Sequence, residues 1–232
     1  NVLIKVPGTK EGFVAVRQLI AEGINVNITL LFSQRDYINS AGAYIDGLKQ
    51  RLNQRMPLSN VFSVASVFIS RTDSAIDKMI DSKLSSSVSH LSSFKGKAAL
   101  ANASAIYQLY KKLFSGNDFE LLRKNGARAQ KIVWASTSTK NPAYPDTLYV
   151  DELIGPETIN TIPTATLFAF KDHGKPAITI DKNPAEAQNV LKALADNGIN
   201  LEQVCADIQK DGIKAFKDSY DKALKAIESK MR

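Results

Sequence analysis

Short apolar runs rich in β-branched residues alternate along the chain with longer amphipathic segments. Helix-like spacing of apolar residues fills the stretches between these runs. An alternation of strand and helix is typical of βαβ units, so the pattern predicts an α/β fold built on a parallel sheet. Five runs are predicted to be strands: 2–6 (VLIKV), 24–32 (INVNITLLF), 61–70 (VFSVASVFIS), 131–136 (KIVWAS) and, more weakly, 158–162 (TINTI).

Three long segments predict helices, at 10–23, 33–54 and 95–114. Gly23 provides a C-terminal stop for the first helix, and Ser33 is placed to cap the N-terminus of the second. A serine-rich stretch before the third helix, 81–94, predicts a solvated connection.

The sequence pattern changes after residue 175. Residues 176–232 predict helices almost throughout, with breaks expected at Asn197-Gly198 and at Asp211-Gly212. The chain is therefore expected to divide into an α/β body, 1–175, and a helical extension, 176–232, that packs on it.

Composition and charge narrow the class of protein. The 232 residues are 44% hydrophobic and 23% charged, as in an ordinary globular protein. The net charge of +7 is scattered, with no basic run longer than Lys111-Lys112, so small anionic metabolites are favoured over nucleic acid. No apolar run approaches the roughly 18 residues of a membrane span. A single cysteine, Cys205, lies in a helical pattern and favours a reducing, cytoplasmic location.

Motifs for cofactors and metals are missing from the sequence. Neither GxGxxG nor GxxxxGK[ST] follows any predicted strand, and the chain has only two histidines. We therefore predict chemistry that needs no cofactor and no metal.

Polar side chains recur on one face of the predicted strands, where side chains alternate with a period of two. In the second strand, the polar face lies opposite Val26, Ile28 and Leu30. Arg71 and Lys140 follow the ends of the third and fourth strands. Strand by strand, the polar face carries Lys5; Asn25, Asn27 and Thr29; Ser66 beside Phe68; and Trp134, Ser136 and Ser138.

Two interpretations of this polar face compete. It is the solvated side of an antiparallel sheet, or it is the inner face of a closed barrel whose outer face is covered by helices. Recurrence on four strands favours the barrel. In that setting an inward lysine loses hydration, which favours the neutral amine that can attack a carbonyl and form a Schiff base. A lone strand lysine is weak support for this chemistry, since lysines commonly extend to solvent.

The stretch 3–33 (LIKVPGTKEGFVAVRQLIAEGINVNITLLFS) closely resembles the transaldolase family, which carries I-K-[IVL]-[PA]-x-T and then G-I-x-x-N-x-T-L-x-F-S. The segments 64–77 (VASVFISRTDSAID) and 134–174 (WASTSTKNPAYPDTLYVDELIGPETINTIPTATLFAFKDHG) are similar to that family, the latter to a bacterial and plant-type branch. The ending DGIKAFKDSYDKAL is similar as well. The resemblance thus covers nearly the whole chain in order.

By this resemblance, Lys5 is the lysine that forms the Schiff base. Asn27 and Thr29 match residues that contact the sugar hydroxyls and help to position the catalytic water. Ser66 and Phe68 match residues that lie near the substrate and line its pocket.

The resemblance also implies a site for the substrate phosphate. Arg71 matches the phosphate anchor, and Ser136 matches a serine at the same end of the substrate. Many family members have a second phosphate-binding arginine where this chain has Ser138. We expect Lys140 or the loop backbone to take its place as a partner for the phosphate.

The family's fold is a (β/α)8 TIM barrel with the lysine on its fourth strand. The resemblance therefore implies that 1–175 is a partial barrel containing strands 4 to 8, with three N-terminal βα units absent. The family's acid/base aspartate and glutamate belong to those units, and here Glu11, Asp73 and Asp151 fall in helical or loop stretches. We expect the missing segment as a partner, in cis or as a second fragment, and aggregation without it. A homodimer is a further alternative.

The implied activity is that of a transaldolase of the non-oxidative pentose phosphate pathway. It transfers a dihydroxyacetone unit from sedoheptulose 7-phosphate to glyceraldehyde 3-phosphate, which yields erythrose 4-phosphate and fructose 6-phosphate. Two alternatives stay open: a related class I aldolase of the fructose-6-phosphate or deoxyribose-phosphate type, and an inactive phosphosugar-binding fragment. A nucleic-acid-binding protein has only the net charge in its favour.

Overall fold

Five parallel strands form one sheet in the computed structural model, which describes residues 1–84 and 89–231. Each strand coincides with a predicted run, so the α/β fold is confirmed and the antiparallel interpretation is wrong. The strands pair in chain order, as in consecutive units of a (β/α) barrel. They are β1 (Ile4–Pro7), β2 (Val26–Leu31), β3 (Ser63–Phe68), β4 (Lys131–Ala135) and β5 (Thr158–Asn160).

Helices connect and cover the strands. Those predicted at 10–23, 33–54 and 95–114 are confirmed as α1, α2 and α4, with ends that differ by a few residues. Of the serine-rich stretch, positions 85–88 lie outside the described residues, and Ser89–Phe94 form a short 3-10 helix. None of the described helices combines the length and apolarity needed to cross a membrane. The helices are α1 (Lys10–Glu22), α2 (Gln34–Asn53), α3 (Ser70–Leu84), α4 (Ala98–Ser115), α5 (Asn117–Lys124), α6 (Leu148–Asp151), α7 (Thr164–His173), α8 (Pro184–Asp196) and α9 (Leu201–Lys230).

Both predicted helix boundaries have the expected local chemistry. Ser33 caps α2 by accepting a hydrogen bond from the amide of Asp36, whose carboxylate accepts in turn from the amide of Ser33. Gly23 ends α1 with φ of 89°, a left-handed conformation that glycine adopts without steric strain.

The main core lies between the outer face of the sheet and the helices α1, α2 and α4. Val67 of β3 and Trp134 of β4 are in register, and both belong to this core. The Trp134 indole donates a hydrogen bond to the carbonyl of Leu153 at 3.0 Å. The prediction that Trp134 shares the polar face is therefore wrong. β4 ends at Ala135, and Ser136 has φ of 55°, so strand alternation does not carry across to Ser136.

A β-bulge in β2 changes which residue continues the core face. The register with β3 shifts between Ile28 and Leu31, and Leu30 has φ of 59°. Leu31 therefore joins Val26 and Ile28 in the main core, whereas Leu30 packs with Phe32 and Cys205. The prediction that Leu30 shares the face of Val26 and Ile28 is wrong because of this bulge.

The C-terminal helices pack on the body at two places. Ala187, Val190 and Leu194 of α8 pack with Ala98 and Ala101 of α4, and α9 crosses the ends of the first strands. The break at Asn197-Gly198 is confirmed, since α8 and α9 are separated there.

The break predicted at Asp211-Gly212 is wrong, because α9 continues through it. A Cβ atom at Gly212 would lie 3.2 Å from Cδ2 of Leu30 and 3.7 Å from Nη1 of Arg71. This glycine therefore permits close approach of α9 to the sheet. Its low helix propensity destabilises α9 by about 1 kcal/mol relative to alanine.

Candidate active site

The predicted site residues on β1, β2 and β3 lie on one face of the sheet. Lys5 is the register partner of Asn27 across the β1–β2 pair, so the two side chains project to the same side. The Ser66 hydroxyl donates a hydrogen bond to Oδ1 of Asn27 at 2.7 Å. We call Lys5, Asn27 and Ser66 the inner row. It lies on the opposite side of the sheet from the main core.

Burial increases along the inner row from β1 towards the middle of the sheet. Lys5 is exposed, Asn27 is half-buried, and Ser66 is only 3% exposed. The described residues therefore do not provide the burial that the predicted loss of hydration at Lys5 requires. No hydrogen bond or ion pair within 1–84 and 89–231 joins Lys5 to another predicted site residue.

Thr29 lies two residues beyond Asn27 on β2 and is 3% exposed. Its hydroxyl oxygen is buried and has no hydrogen-bond partner among the described residues. An unpaired buried hydroxyl is costly, at about 1–3 kcal/mol. A ligand hydroxyl placed next to the inner row could supply the missing bond.

Phe68 and Arg71 lie where β3 leads into α3. The Arg71 guanidinium is 5.7 Å from the centroid of the Phe68 ring, within reach of a cation–π interaction. The Phe68 ring is in turn 5.3 Å from that of Phe32. Arg71 is otherwise exposed, and its charge is free of any ion pair among the described residues. This places a cation beside the predicted phosphate end.

The segment after β4 lies next to the start of α3. The amide of Ser70 donates to the carbonyl of Ser136 at 3.1 Å, which brings Ser136 close to the residue before Arg71. Further along, the Lys140 ammonium donates to the Ser138 hydroxyl at 2.9 Å. Lys140, which was predicted to take the place of an arginine at position 138, is therefore in direct contact with Ser138.

Two polar residues that contact the ends of the strands, Gln209 and Asn160, were not predicted from the sequence. Nε2 of Gln209 on α9 donates to the carbonyls of Gly8 at 3.0 Å and Leu30 at 2.9 Å, which ties α9 to the ends of β1 and β2. Oδ1 of Asn160 on β5 accepts from the Thr137 hydroxyl at 2.7 Å. A polar residue within the run 158–162 was a signal for Asn160. A glutamine on an amphipathic helix gave no such signal for Gln209.

Carboxylates are absent from all five strands, as the sequence predicted. Glu11, Asp73 and Asp151 lie on α1, α3 and α6. Within the described part of the chain, no group of three or more His, Cys, Asp or Glu side chains is arranged to hold a metal ion.

One carboxylate on α3 has a strongly raised pKa. Asp73 is 1% exposed, and burial raises its pKa to about 6 against the opposing effect of hydrogen bonds from the Ala99 amide and the Tyr149 hydroxyl. Burial also raises the pKa of Tyr149, as does the adjacent Asp73 charge, so this hydroxyl stays a proton donor at neutral pH.

A family profile and several individual proteins that are similar to the chain all indicate the same family. The profile of the family described as Transaldolase/Fructose-6-phosphate aldolase matches residues 1–227. The chain is 45% identical to Transaldolase 2 of a Nostoc species, over 100% of the chain and 63% of that protein. It is 43% identical to Transaldolase of Neisseria meningitidis serogroup A, over 97% of the chain and 61% of that protein. For Transaldolase of a Parafrankia species, the values are 42%, 100% and 62%. The chain thus spans less than two thirds of the length of these relatives.

Proposed function

Since the chain belongs to the transaldolase/fructose-6-phosphate aldolase family, we propose that it carries the Schiff-base lysine and the phosphate end of a transaldolase active site. The observation that supports this most directly is the inner row, in which Lys5 is in register with Asn27 and Asn27 is held by Ser66. The reaction is transfer of a dihydroxyacetone unit between ketose and aldose phosphates.

Lys5 is the proposed nucleophile. Its neutral amine attacks the donor ketone, and loss of water gives a protonated Schiff base. The β-hydroxyl of the bound ketose then loses its proton to a base, and the bond between the carbons α and β to the original carbonyl breaks. The first aldose phosphate leaves as an aldehyde, and the electron pair remains on the lysine-bound three-carbon fragment as an enamine. The enamine carbon attacks the acceptor aldehyde, and hydrolysis returns the lysine and releases the new ketose phosphate.

Asn27 and Thr29 are proposed to bind substrate hydroxyls and the catalytic water. Because Oδ1 of Asn27 accepts from Ser66, the amide NH2 group is left to donate to a ligand oxygen. The unpaired hydroxyl of Thr29 adds a second polar contact on the same strand. Ser66 thereby fixes the orientation of Asn27, and fixed polar groups stabilise developing charge better than mobile ones.

The phosphate is proposed to bind between the start of α3 and the segment after β4. Arg71 supplies the main charge, and its contact with Phe68 holds the guanidinium near the end of β3. Ser136, Ser138 and Lys140 approach from the other side. Lys140 supplies a point charge where many members of the resembled family carry a second arginine. Phosphate binding remote from the reacting carbons holds each substrate in register.

The lengths of the relatives support a further partner for this chain. We propose that a segment corresponding to the front of those relatives, in cis or as a second fragment, supplies the acid/base carboxylates and a second neighbour for β1. In this arrangement 1–175 is the partial catalytic barrel and 176–232 is the helical extension, acting in the cytoplasm. Two copies of the chain in a homodimer are the alternative.

Schiff-base capture tests this function. The protein is incubated with fructose 6-phosphate, reduced with borohydride, and mapped by mass spectrometry, both alone and co-expressed with the front segment of the Nostoc relative. We expect a three-carbon adduct on Lys5, unchanged in Lys10→Arg and lost in Lys5→Arg. Turnover that depends on erythrose 4-phosphate then separates a transaldolase from the related aldolases. Absence of any lysine adduct in the complemented protein would refute the assignment.

A second candidate function is binding of a sugar phosphate without catalysis. The exposure of Lys5 and the absence of strand carboxylates favour it for the chain alone. Saturable binding of fructose 6-phosphate without an adduct on Lys5, in the presence of the front segment as well as in its absence, would select this alternative.

A further inference from the structure

Two carboxylate–tyrosine pairs join α3 to the segment that follows β4. The Tyr149 hydroxyl donates to Oδ2 of Asp73 at 2.8 Å, and the Tyr144 hydroxyl donates to Oδ2 of Asp77 at 2.6 Å. Asp73 and Asp77 are one helical turn apart, so they present their carboxylates on the same side of α3. We call these four residues the carboxylate–tyrosine clamp.

The second oxygen of each carboxylate holds the start of α4. Oδ1 of Asp73 accepts from the amide of Ala99 at 2.7 Å, and Oδ1 of Asp77 accepts from the amide of Gly96 at 3.1 Å. Lys97, at the N-cap position of α4, provides no side-chain cap, so Asp73 bonds an amide of the first turn from another helix, and Asp77 bonds the amide just before the N-cap. Each carboxylate therefore bonds two elements at once, and three parts of the chain meet at the clamp.

Packing around Gly96 depends on the same arrangement. Gly96 has φ of 72°, and a Cβ atom there would lie 2.9 Å from Cζ of Tyr144. The ring of Tyr144 thus occupies the space that any other residue at position 96 would need. This fixes Tyr144 from its ring as well as from its hydroxyl.

The clamp is adjacent in sequence to the proposed phosphate end on both of the segments that form it. Asp73 follows Arg71 by two residues on α3, and Tyr144 follows Lys140 by four residues in the segment after β4. We propose that the clamp residues are positioning residues that set the spacing between Arg71 and the 136–140 segment. A bound phosphate is then contacted by Arg71 on one side and by this segment on the other. This deepens the proposed function and rests on it.

Physical chemistry explains why a polar clamp suits this task. Asp73 is almost fully buried, and a buried carboxylate is costly unless each oxygen is hydrogen-bonded. Apolar contacts would hold the two segments together with less desolvation. Hydrogen bonds of fixed length and direction instead define their separation, which is what recognition of a tetrahedral phosphate needs.

Removal of single hydroxyls tests the clamp. Tyr149→Phe and Tyr144→Phe each delete one hydrogen bond and keep the ring, and Tyr144, which is half-buried, serves if Tyr149→Phe does not fold. Tyr107→Phe is the matched control, because its hydroxyl donates to the carbonyl of Pro156, away from the clamp. The measurements are the dissociation constant of inorganic phosphate by calorimetry and the KM and kcat of the complemented protein.

We expect both clamp variants to raise the dissociation constant of phosphate and the KM of fructose 6-phosphate by roughly fivefold. This is the change in affinity that corresponds to the loss of one typical hydrogen bond. The kcat, and the KM of unphosphorylated fructose, are expected to stay within about twofold. Equal changes in Tyr107→Phe, or equal changes for both sugars, would overturn the positioning role, as would a wild-type protein that binds no phosphate. Phosphate binding that responds to the clamp without an adduct on Lys5 would refute only the Schiff-base function.

Discussion

The β1 flank and the β3–β4 flank of the sheet hold their predicted site residues in very different surroundings. Ser66 on β3 has a neighbouring strand on each side, a hydrogen bond to Asn27 and almost no exposed surface. Lys5 on β1 has one neighbouring strand among the described residues and is exposed, and the adjacent Ile4 is 48% exposed. Both residues are polar positions in apolar runs, yet only one is enclosed.

The difference in burial between Lys5 and Ser66 shows that the residue type at a position and its surroundings have separate origins. Residue type and register make Lys5 the candidate nucleophile, whereas burial depends on what covers β1. The proposed phosphate end on β3, β4 and α3 is built within the chain, from contacts such as Ser70–Ser136 and Lys140–Ser138. We therefore expect substitutions on the two flanks to fall into two groups, one that changes chemistry and one that changes stability.

The largest effect is expected from Lys5→Arg. A guanidinium stays charged and cannot form the Schiff base, so turnover of the complemented protein should fall at least ~1000-fold. Because Lys5 is exposed, the free energy of unfolding should change by no more than about 0.5 kcal/mol. Turnover assays and urea denaturation measure the two quantities, with Lys10→Arg as control. Turnover within tenfold of wild type would remove Lys5 from the mechanism.

A matched pair of isoleucines compares the stability of the two flanks. Ile132 on β4 is fully buried, whereas Ile4 on β1 is half-exposed. Ile132→Ala should lower the free energy of unfolding by about 3 kcal/mol, because it leaves a cavity in the main core, and Ile4→Ala by only about 1 kcal/mol. Urea denaturation of both variants gives the comparison. Similar losses would mean that β1 is as well packed as β4.

The pH dependence of stability is expected to report on Asp73. Its pKa in the folded chain is about 6, raised chiefly by burial and further by the nearby Asp77, and so lies above the ordinary aspartate value of about 4. Between these values the folded chain holds a proton that the unfolded chain releases. This group's contribution to the free energy of unfolding therefore increases as the pH falls through about 6, by about 2 kcal/mol between roughly pH 7.5 and 4.5.

Asp73→Asn should remove that contribution. The difference in unfolding free energy between wild type and variant is compared at the two pH values, which cancels the titration of groups that do not interact with Asp73. Asp81→Asn, an exposed carboxylate on the same helix, controls for the loss of a charge. A difference that does not depend on pH would show that Asp73 is ionised in the folded chain throughout this range.

The smallest effect is expected from Ser66→Ala. It deletes the bond to Asn27 in the inner row, which should lower the free energy of unfolding by about 1 kcal/mol. Ser229→Ala on the exposed end of α9 should change it by no more than a few tenths of a kcal/mol. Thermal denaturation of both variants is sufficient. If the two substitutions have equal effects, the Ser66–Asn27 bond does not contribute to stability.

Periodicity predicted the fold well because each strand is short, β-branched and bounded by helical patterns. All five strands, three helices, the Ser33 cap and the Gly23 stop follow from local sequence preferences. The errors arise where tertiary contacts override those preferences. Gly212 resembles a helix break in sequence, but the close approach of α9 to Leu30 requires a residue without a side chain.

Strand alternation also fails where the backbone leaves the regular β conformation. The left-handed residues Leu30 and Ser136 interrupt the period of two, and nothing in the residue types at these positions signals this. The clamp was missed for another reason. The two pairs join residues that are 67 positions apart (Asp77 and Tyr144) and 76 positions apart (Asp73 and Tyr149). Their pairing depends on how α3, α4 and the segment after β4 pack together.

The contact between Gln209 and the end of β1 can form only late in the synthesis of the chain. Its hydrogen bond to the carbonyl of Gly8 joins residues separated by 201 positions. A ribosome releases the chain from its N-terminus at roughly 5–20 residues per second, so β1 emerges at least ten seconds or so before this glutamine does. Until then β1 lacks this contact with α9, although α1 and β2 are already available to pack against it. The strand that carries Lys5 is therefore synthesised well before the helix that contacts its end.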